Sequence, residues 1–266
     1  RSNICIVGVG ALGSYTANFL VRAGVGKITL IDRDIVEESN LQRQNLYTEQ
    51  DLGKLKVEVI AEKLLKINSK IQIKTHFADL TYKNVQILKS DLILDCTDNM
   101  ETRFLINDFA LKNNIPWIYA AVLGSEGVIM NIIPKKTPCF RCIFQPPTSQ
   151  LGTCDTEGII NTIPAAISAI QVTEAIKIIT KQPYTKELIH FDIKLMAPDI
   201  TQSDFNKFTI KDNNILFPIS NIKGVSEKNL VKLSKFKVKD GNKFDIFKAA
   251  KEVKLPINIL AGLILS

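Results

Sequence analysis

Residues 3 to 13 read NICIVGVGALG, with Gly8, Gly10 and Gly13 in G-x-G-x-x-G spacing. The glycines follow a short β-branched apolar run and open a segment in which Leu12, Tyr15, Thr16, Phe19 and Leu20 recur at helical spacing until Gly24. A strand, a tight turn and a helix in that order bring backbone N–H groups and a positive helix end close to a phosphate, because no side chain stands between. KITLI (27–31) supplies a second strand, and a βαβ unit of this size makes the two strands parallel. The turn says nucleotide without saying which.

Asp32 ends the second strand, 19 residues past Gly13, where a carboxylate accepts hydrogen bonds from ribose hydroxyls. That suits a nicotinamide dinucleotide as well as ATP. The next stretch, ESNLQRQN (38–45), is polar and carries one arginine among amides. A triphosphate carries more charge than a pyrophosphate and needs donors beyond the glycine turn. Arg43 and the helix-borne Lys56 supply cations, and Asn40, Gln42 and Gln44 neutral donors, so the loop reads as a second phosphate clamp. Asp98 closes the LILDCTDN strand on the same crevice, near where strand order reverses in such sheets. Magnesium favours one or two carboxylates plus phosphate oxygens; Asp98 is the candidate ligand, with Asn99 beside it, and a helix-capping role for Asp98 is compatible.

Further along, 53–67 reads as an amphipathic helix, 71–77 and 91–96 as strands, 101–114 as a helix, and PWIYAAV and GVIMNII as strands. Alternation of this kind predicts a Rossmann-like α/β fold, a mainly parallel sheet with flanking helices. From Pro134 to Gly158 the pattern breaks into a crossover loop dense in Pro, Cys and polar residues. TIPAAISAIQVTEAIKII (162–179) follows as a buried helix with Thr162 as its cap, and ELIHFDIKL begins the additional C-terminal strands.

The 266 residues suffice for one large domain with an appendage. The boundary is expected at 200: residues 201–266 hold 12 Lys against 6 Asp and Glu, and so carry +6 of the net +7. This basic extension contains two helix-like stretches, 226–236 and 242–253, and attracts an acidic partner or simply presents a solvated lysine face. No charged-then-apolar leader precedes the first strand, and five unevenly placed cysteines make no disulfide framework, so a reducing, cytoplasmic setting is expected. His76 and His190 fall in no motif and read as structural.

GVGALGS, AGVGKITLIDRDIVEESNLQRQNLY, DLGKLKVEVIAEKLLKIN, LILDCTDNMETRFLIND, PCFRCIF and TCDTEGII, in that order, closely resemble the ThiF/MoeB/HesA family of ubiquitin-activating-like adenylating enzymes over about residues 3–196. The resemblance implies ATP-dependent adenylation of the C-terminal glycine carboxylate of a ubiquitin-like carrier ending in Gly-Gly. It also implies Mg2+ as cofactor and a homodimer. Carried over position by position, its ATP site comprises Gly8, Gly10, Ala11, Asp32, Ser39, Asn40, Arg43, Lys56, Asp98 and Asn99, with Ala11 where many members have glycine. Arg43, Lys56 and Asp98 become catalytic, and Cys154 stands where some relatives form a covalent link with the carrier or its sulfur. Cys139 and Cys142 match one half of a structural zinc site, but the sequence has no second C-x-x-C, so zinc is not expected; packing of Ile215, Leu216 and Phe217 would replace it. Relatives also carry a helical lead-in whose arginine reaches into the neighbouring subunit's site, and this sequence begins after that position. Other readings are a tRNA-directed dehydratase of the same superfamily, an NAD-dependent oxidoreductase, and a non-catalytic binding partner.

Overall fold

The computed structural model describes residues 2–144, 159–192, 195–196, 209–211 and 214–216, and the chain divides into two units, Arg1–Asp192 and Ile193–Ser266. The first unit is built on a seven-stranded sheet of β1 (Asn3–Val7), β2 (Lys27–Asp32), β3 (Gln72–Phe77), β4 (Leu92–Asp95), β5 (Trp117–Leu123), β6 (Glu126–Ile132) and β7 (Ile189–Asp192), in the order β3-β2-β1-β4-β5-β6-β7. The first five strands run parallel, whereas β6 and β7 are each antiparallel to their neighbour. This is the expected mainly parallel α/β sheet. The chain builds outward from β1 to β3, then returns to β4 on the other side of β1, and that reversal opens a crevice above the carboxyl ends of β1 and β4.

The faces of the sheet follow from strand parity. Cys5, Val7 and Ile93 join a core with Phe104, Phe109, Trp117, Tyr119 and Phe140, on the side of α3 (Met100–Lys112) and α4 (Phe140–Ile143). Ile4 and Ile6, of opposite parity, are fully buried on the other face. There lie α1 (Ala11–Arg22), α2 (Lys56–Ile67) and α5 (Thr162–Ile179), with α5 packed on α1, β5 and β6. α5 is apolar and 18 residues long, enough by length and composition to cross a membrane. Its buried Ser168, Gln171 and Glu174 are nevertheless bonded into the domain: Ser168 Oγ donates to Leu12 O (2.9 Å) and Gln171 Nε2 to Asp95 O (2.9 Å), while Glu174 Oε2 accepts from Asn131 Nδ2 (2.6 Å). Those bonds make it a core helix. Its cap position is Asn161 rather than Thr162, with no side-chain cap bond.

In the second unit, β8 (Leu195–Met196), β9 (Thr209–Lys211) and β10 (Asn214–Leu216) form a small sheet in the order β8-β10-β9. The helix-like stretches 226–236 and 242–253, and the side chains of Ile215, Leu216 and Phe217, lie outside the described residues.

Candidate functional site

The three motif glycines do three different jobs. Gly8 has φ +85°, and a Cβ there would sit 2.7 Å from Cys96 O, so the turn exists only because β1 and the end of β4 approach with no side chain between them. Gly13 is buried inside α1, and its Cβ would lie 2.0 Å from Gly8 O. It packs the helix against the turn and does not line the crevice. Gly10 faces the opening, where the nearest atom to an added Cβ is Gln44 Nε2 at 3.6 Å. Of the glycines, Gly8 and Gly10 therefore line the crevice, and Gly13 supports them.

The crevice has a volume of about 570 Å3, and Gly8, Gly10, Ala11, Asp32, Asn40, Arg43, Lys56, Asp98 and Asn99 all line it. Ser39 does not; it is exposed, and its carbonyl accepts a hydrogen bond from Arg43 Nη1 (2.8 Å). Asp32 receives backbone N–H groups on both oxygens, from Val9 (2.7 Å) and Asp34 (2.8 Å). Burial pushes its carboxyl up from the ordinary carboxylate range, while these two donors and the nearby Lys56 pull the other way. Asp32 thus fixes the glycine turn to the end of β2 besides presenting an acceptor to the crevice.

The polar loop after β2 turns inward at three positions. Asn40, Arg43 and Gln44 are buried, whereas Gln42 points to solvent. Two anchors hold the loop. Tyr47 donates to Val9 O (2.8 Å), and Lys63 of α2 bonds Leu46 O (2.6 Å) and the Asp51 carboxylate. Lys56, first residue of α2, has a side chain only 6% exposed, and its Nζ pairs with Asp34 Oδ2 at 3.1 Å. Asn40 Oδ1 and Gln44 Oε1 are buried without a hydrogen-bond partner, which leaves polar atoms at the crevice for a polar ligand to satisfy.

On the opposite lip the geometry separates two neighbours. Asn99 is the cap of α3, its Oδ1 accepting from Glu101 N (2.8 Å) and Thr102 N (3.3 Å), so the cap is Asn99 and not Asp98. Asp98 is exposed and makes no hydrogen bond or ion pair among the described residues, leaving its carboxylate open to a hard cation. The turn carrying it is set from below by two residues. Buried Arg103 donates to Thr97 O, lies 3.3 Å from Asp95 Oδ2 and stacks 5.1 Å from the Tyr119 ring centre; Asp95, wholly buried, accepts from Thr97 N (3.0 Å) and Thr97 Oγ1 (2.7 Å). Burial holds the Asp95 carboxyl above its usual range, opposed chiefly by Arg103. Gln44, expected as a neutral donor of the loop, lines the crevice, whereas Asp34, Tyr47, Asp95 and Arg103 were not among the expected site residues; the two acids closing "IDRD" were the available signal for Asp34.

His76 sits on edge strand β3 and His190 lies 3.4 Å from Glu126 Oε2; neither lines the crevice. Cys139 and Cys142 face each other with sulfurs 3.1 Å apart. Cys154 lies outside the described residues.

The ThiF family matches residues 1–215, and a helix-hairpin-helix motif matches residues 192–266. The sulfur carrier protein ThiS adenylyltransferase of Bacillus subtilis is 42% identical over 192 residues, which is 71% of this chain and 57% of that protein. The sulfur carrier protein adenylyltransferase of Thermus thermophilus is 31% identical over 224 residues, 80% of each chain. The adenylyltransferase and sulfurtransferase MOCS3 of Aedes aegypti is 33% identical, covering 97% of this chain and 68% of its own. The crystal structure of E. coli MccB with ATP superposes with a TM-score of 0.61 at 24% identity, covering 72% of this chain and 63% of that one; at that identity the likeness bears on the fold. The chain spans little more than half the length of the Bacillus relative. The glycine turn, the loop cations and the Asp98 lip converge on one crevice in the order their motifs have in the sequence, and with the family matched over most of its length the chain belongs to the ThiF family.

Proposed function

We propose that this chain binds ATP with Mg2+ in the crevice and joins AMP to the C-terminal glycine carboxylate of a ubiquitin-like sulfur carrier, releasing pyrophosphate. The observation that carries the reading is the pair of buried cations, Arg43 and Lys56, on the loop side of a polar crevice whose far lip holds exposed Asp98. The glycine turn serves the pyrophosphate of a dinucleotide, whereas a triphosphate carries further charge that added cations offset. The names of the Bacillus and Thermus relatives, both adenylyltransferases of sulfur carriers, support the same substrate class. A cytoplasmic homodimer is part of the proposal, and light scattering on the purified chain reports its assembly state.

A carboxylate is already a nucleophile at neutral pH, so attack on the α-phosphate needs alignment and charge neutralisation rather than a base. In this reading the Gly8–Gly10 turn offers backbone donors to the phosphates, and Asp32 accepts from the ribose. Arg43, braced by Ser39 O, meets charge developing on the transferred phosphoryl group. Lys56 is held at the crevice wall by Asp34. Asp98 would hold Mg2+, which when bound offsets phosphate charge.

Carrier-dependent ATP–pyrophosphate exchange tests the proposal, with a carrier truncated before its terminal glycines as control. Calorimetry showing that NAD binds while MgATP does not would overturn it. Asp98→Asn is expected to raise the Mg2+ needed for half-maximal exchange by about tenfold, or roughly 1.4 kcal/mol of metal affinity. Because Asp98 is exposed and unbonded among the described residues, the same variant should melt within about 2 °C of the parent, consistent with surface changes away from packing.

A further inference from the structure

Cys139 and Cys142 are left unused by adenylation. The structural zinc implied by family resemblance takes four ligands. Among the described residues no three His, Cys, Asp or Glu side chains converge to hold a metal, and the sequence offers no second C-x-x-C. Among the described residues the pair therefore lacks the further ligands a tetrahedral zinc needs.

It fits a different chemistry. Cys139 stands at the cap position of α4 with extended backbone, and Cys142 is the third residue of that helix. A side chain at a cap turns back toward the third helical position, and the two sulfurs lie 3.1 Å apart. Cys142 is exposed, and its sulfur accepts the Cys139 N–H (3.4 Å), a contact that favours thiolate over thiol. The backbone carrying both is held firmly from outside the pair. Phe140 N donates to Asn107 Oδ1 (3.0 Å), Arg141 makes a two-pronged bond to Asp108 (2.8 and 2.7 Å), and the buried Phe140 ring packs against Phe104, Trp117, Tyr119 and Phe144. A disulfide bond is about 2.05 Å long, so the sulfurs need to close by only about 1 Å on a scaffold already in place.

We propose that Cys139 and Cys142 form a reversible dithiol–disulfide couple that exchanges with low-molecular-weight disulfides of the oxidised-glutathione class, in the place a structural metal would hold. The thiolate of Cys142 attacks one sulfur of oxidised glutathione; the glutathione S–S bond breaks and one glutathione thiolate leaves with its electron pair. Cys139, after losing its proton to solvent, attacks the Cys142 sulfur of the mixed disulfide, and the second glutathione leaves as thiolate. The two cysteines are oxidised by two electrons, one glutathione disulfide is reduced to two thiols, and the protons released by the cysteines balance those taken up by glutathione.

The test uses the full chain equilibrated across ratios of reduced to oxidised glutathione, quenched in acid, alkylated and digested with trypsin. Trypsin cuts after Arg141, so the Cys139 and Cys142 peptides separate unless a disulfide joins them. The expected product is the joined pair, lighter by two hydrogens than the separate thiol peptides. Its abundance should fall at least tenfold when reduced glutathione is restored. It should persist in Cys154→Ser and vanish in Cys139→Ser and Cys142→Ser. The proposal is overturned by any of three results: both thiols alkylate throughout the series, the joined product disappears in Cys154→Ser, or one zinc per chain protects both thiols from alkylation. The first measurement needs no variant, so misfolding of a substituted chain does not rescue the idea.

Discussion

Arg43→Ala is expected to lower carrier-dependent ATP–pyrophosphate exchange by about 100-fold, or roughly 3 kcal/mol of transition-state stabilisation. The size follows from placement. Arg43 is 9% exposed, in a loop pinned to the glycine turn by Tyr47 and to α2 by Lys63, so its charge acts where water is largely excluded and needs little reorganisation. Arg43→Lys keeps the charge and loses the forked donors, and should recover only part of the rate, about tenfold below the parent. Removing the bond to Ser39 O costs about 1 kcal/mol of stability, a melting shift of a few degrees that circular dichroism separates from the rate effect. Exchange unchanged in Arg43→Ala would end the case for a phosphate clamp in this loop.

Gly13→Ala carries the largest expected cost to folding. The added carbon would meet Gly8 O at 2.0 Å and Gly8 C at 2.8 Å, and both belong to a turn tied on either side: Gly8 N to Ile31 O (2.8 Å), and Cys96 N to Val7 O (2.8 Å). Neither neighbour moves without breaking ladder bonds, so about 3 kcal/mol is expected, at the upper end of overpacking penalties. For a unit of this size that is a drop of roughly 10 °C in melting temperature. Gly10→Ala offers the contrast. Its Cβ meets only the flexible end of Gln44 at 3.6 Å, so the fold should tolerate it and any loss should appear in nucleotide binding. Equal melting of the two variants would show that the helix and the turn are not packed as described.

Most elements of the first unit were legible because their signals are local. The strand–turn–helix at Gly8–Gly13, the helices near 56–67 and 100–112, and the apolar strand runs each declare themselves within a dozen residues. Charge and donor type in the polar loop and at the end of the LILDCTDN strand pointed to Asn40, Arg43 and Asp98, and the family motifs added Ala11 and Ser39. Ser39 and Gly13 show the limit of that transfer: both belong to the right motif, yet one points to solvent and the other packs against the turn's carbonyl. Motif membership does not distinguish a residue that touches a ligand from one that supports its neighbour. Similarly, the cap of α3 falls on Asn99 because a one-residue difference in where a helix starts decides which side chain reaches the free N–H groups.

By itself the sequence determined that the chain folds as a mainly parallel α/β layer, that a glycine turn follows its first strand, and that cations and a carboxylate stand near it, since composition and spacing set those locally. The tertiary structure alone decided that Asp34 pairs with Lys56, that Arg103 and Asp95 brace the Asp98 turn, that Tyr47 ties the loop to Val9, and that Gln171 joins α5 to the end of β4. The partners lie 22 residues apart for Asp34 and Lys56, 38 for Tyr47 and Val9, and 76 for Gln171 and Asp95, while Arg103 reaches Asp95 across the turn from β4 into α3. Local pattern carries no information about such pairings; only the packed sheet brings those side chains within hydrogen-bond range.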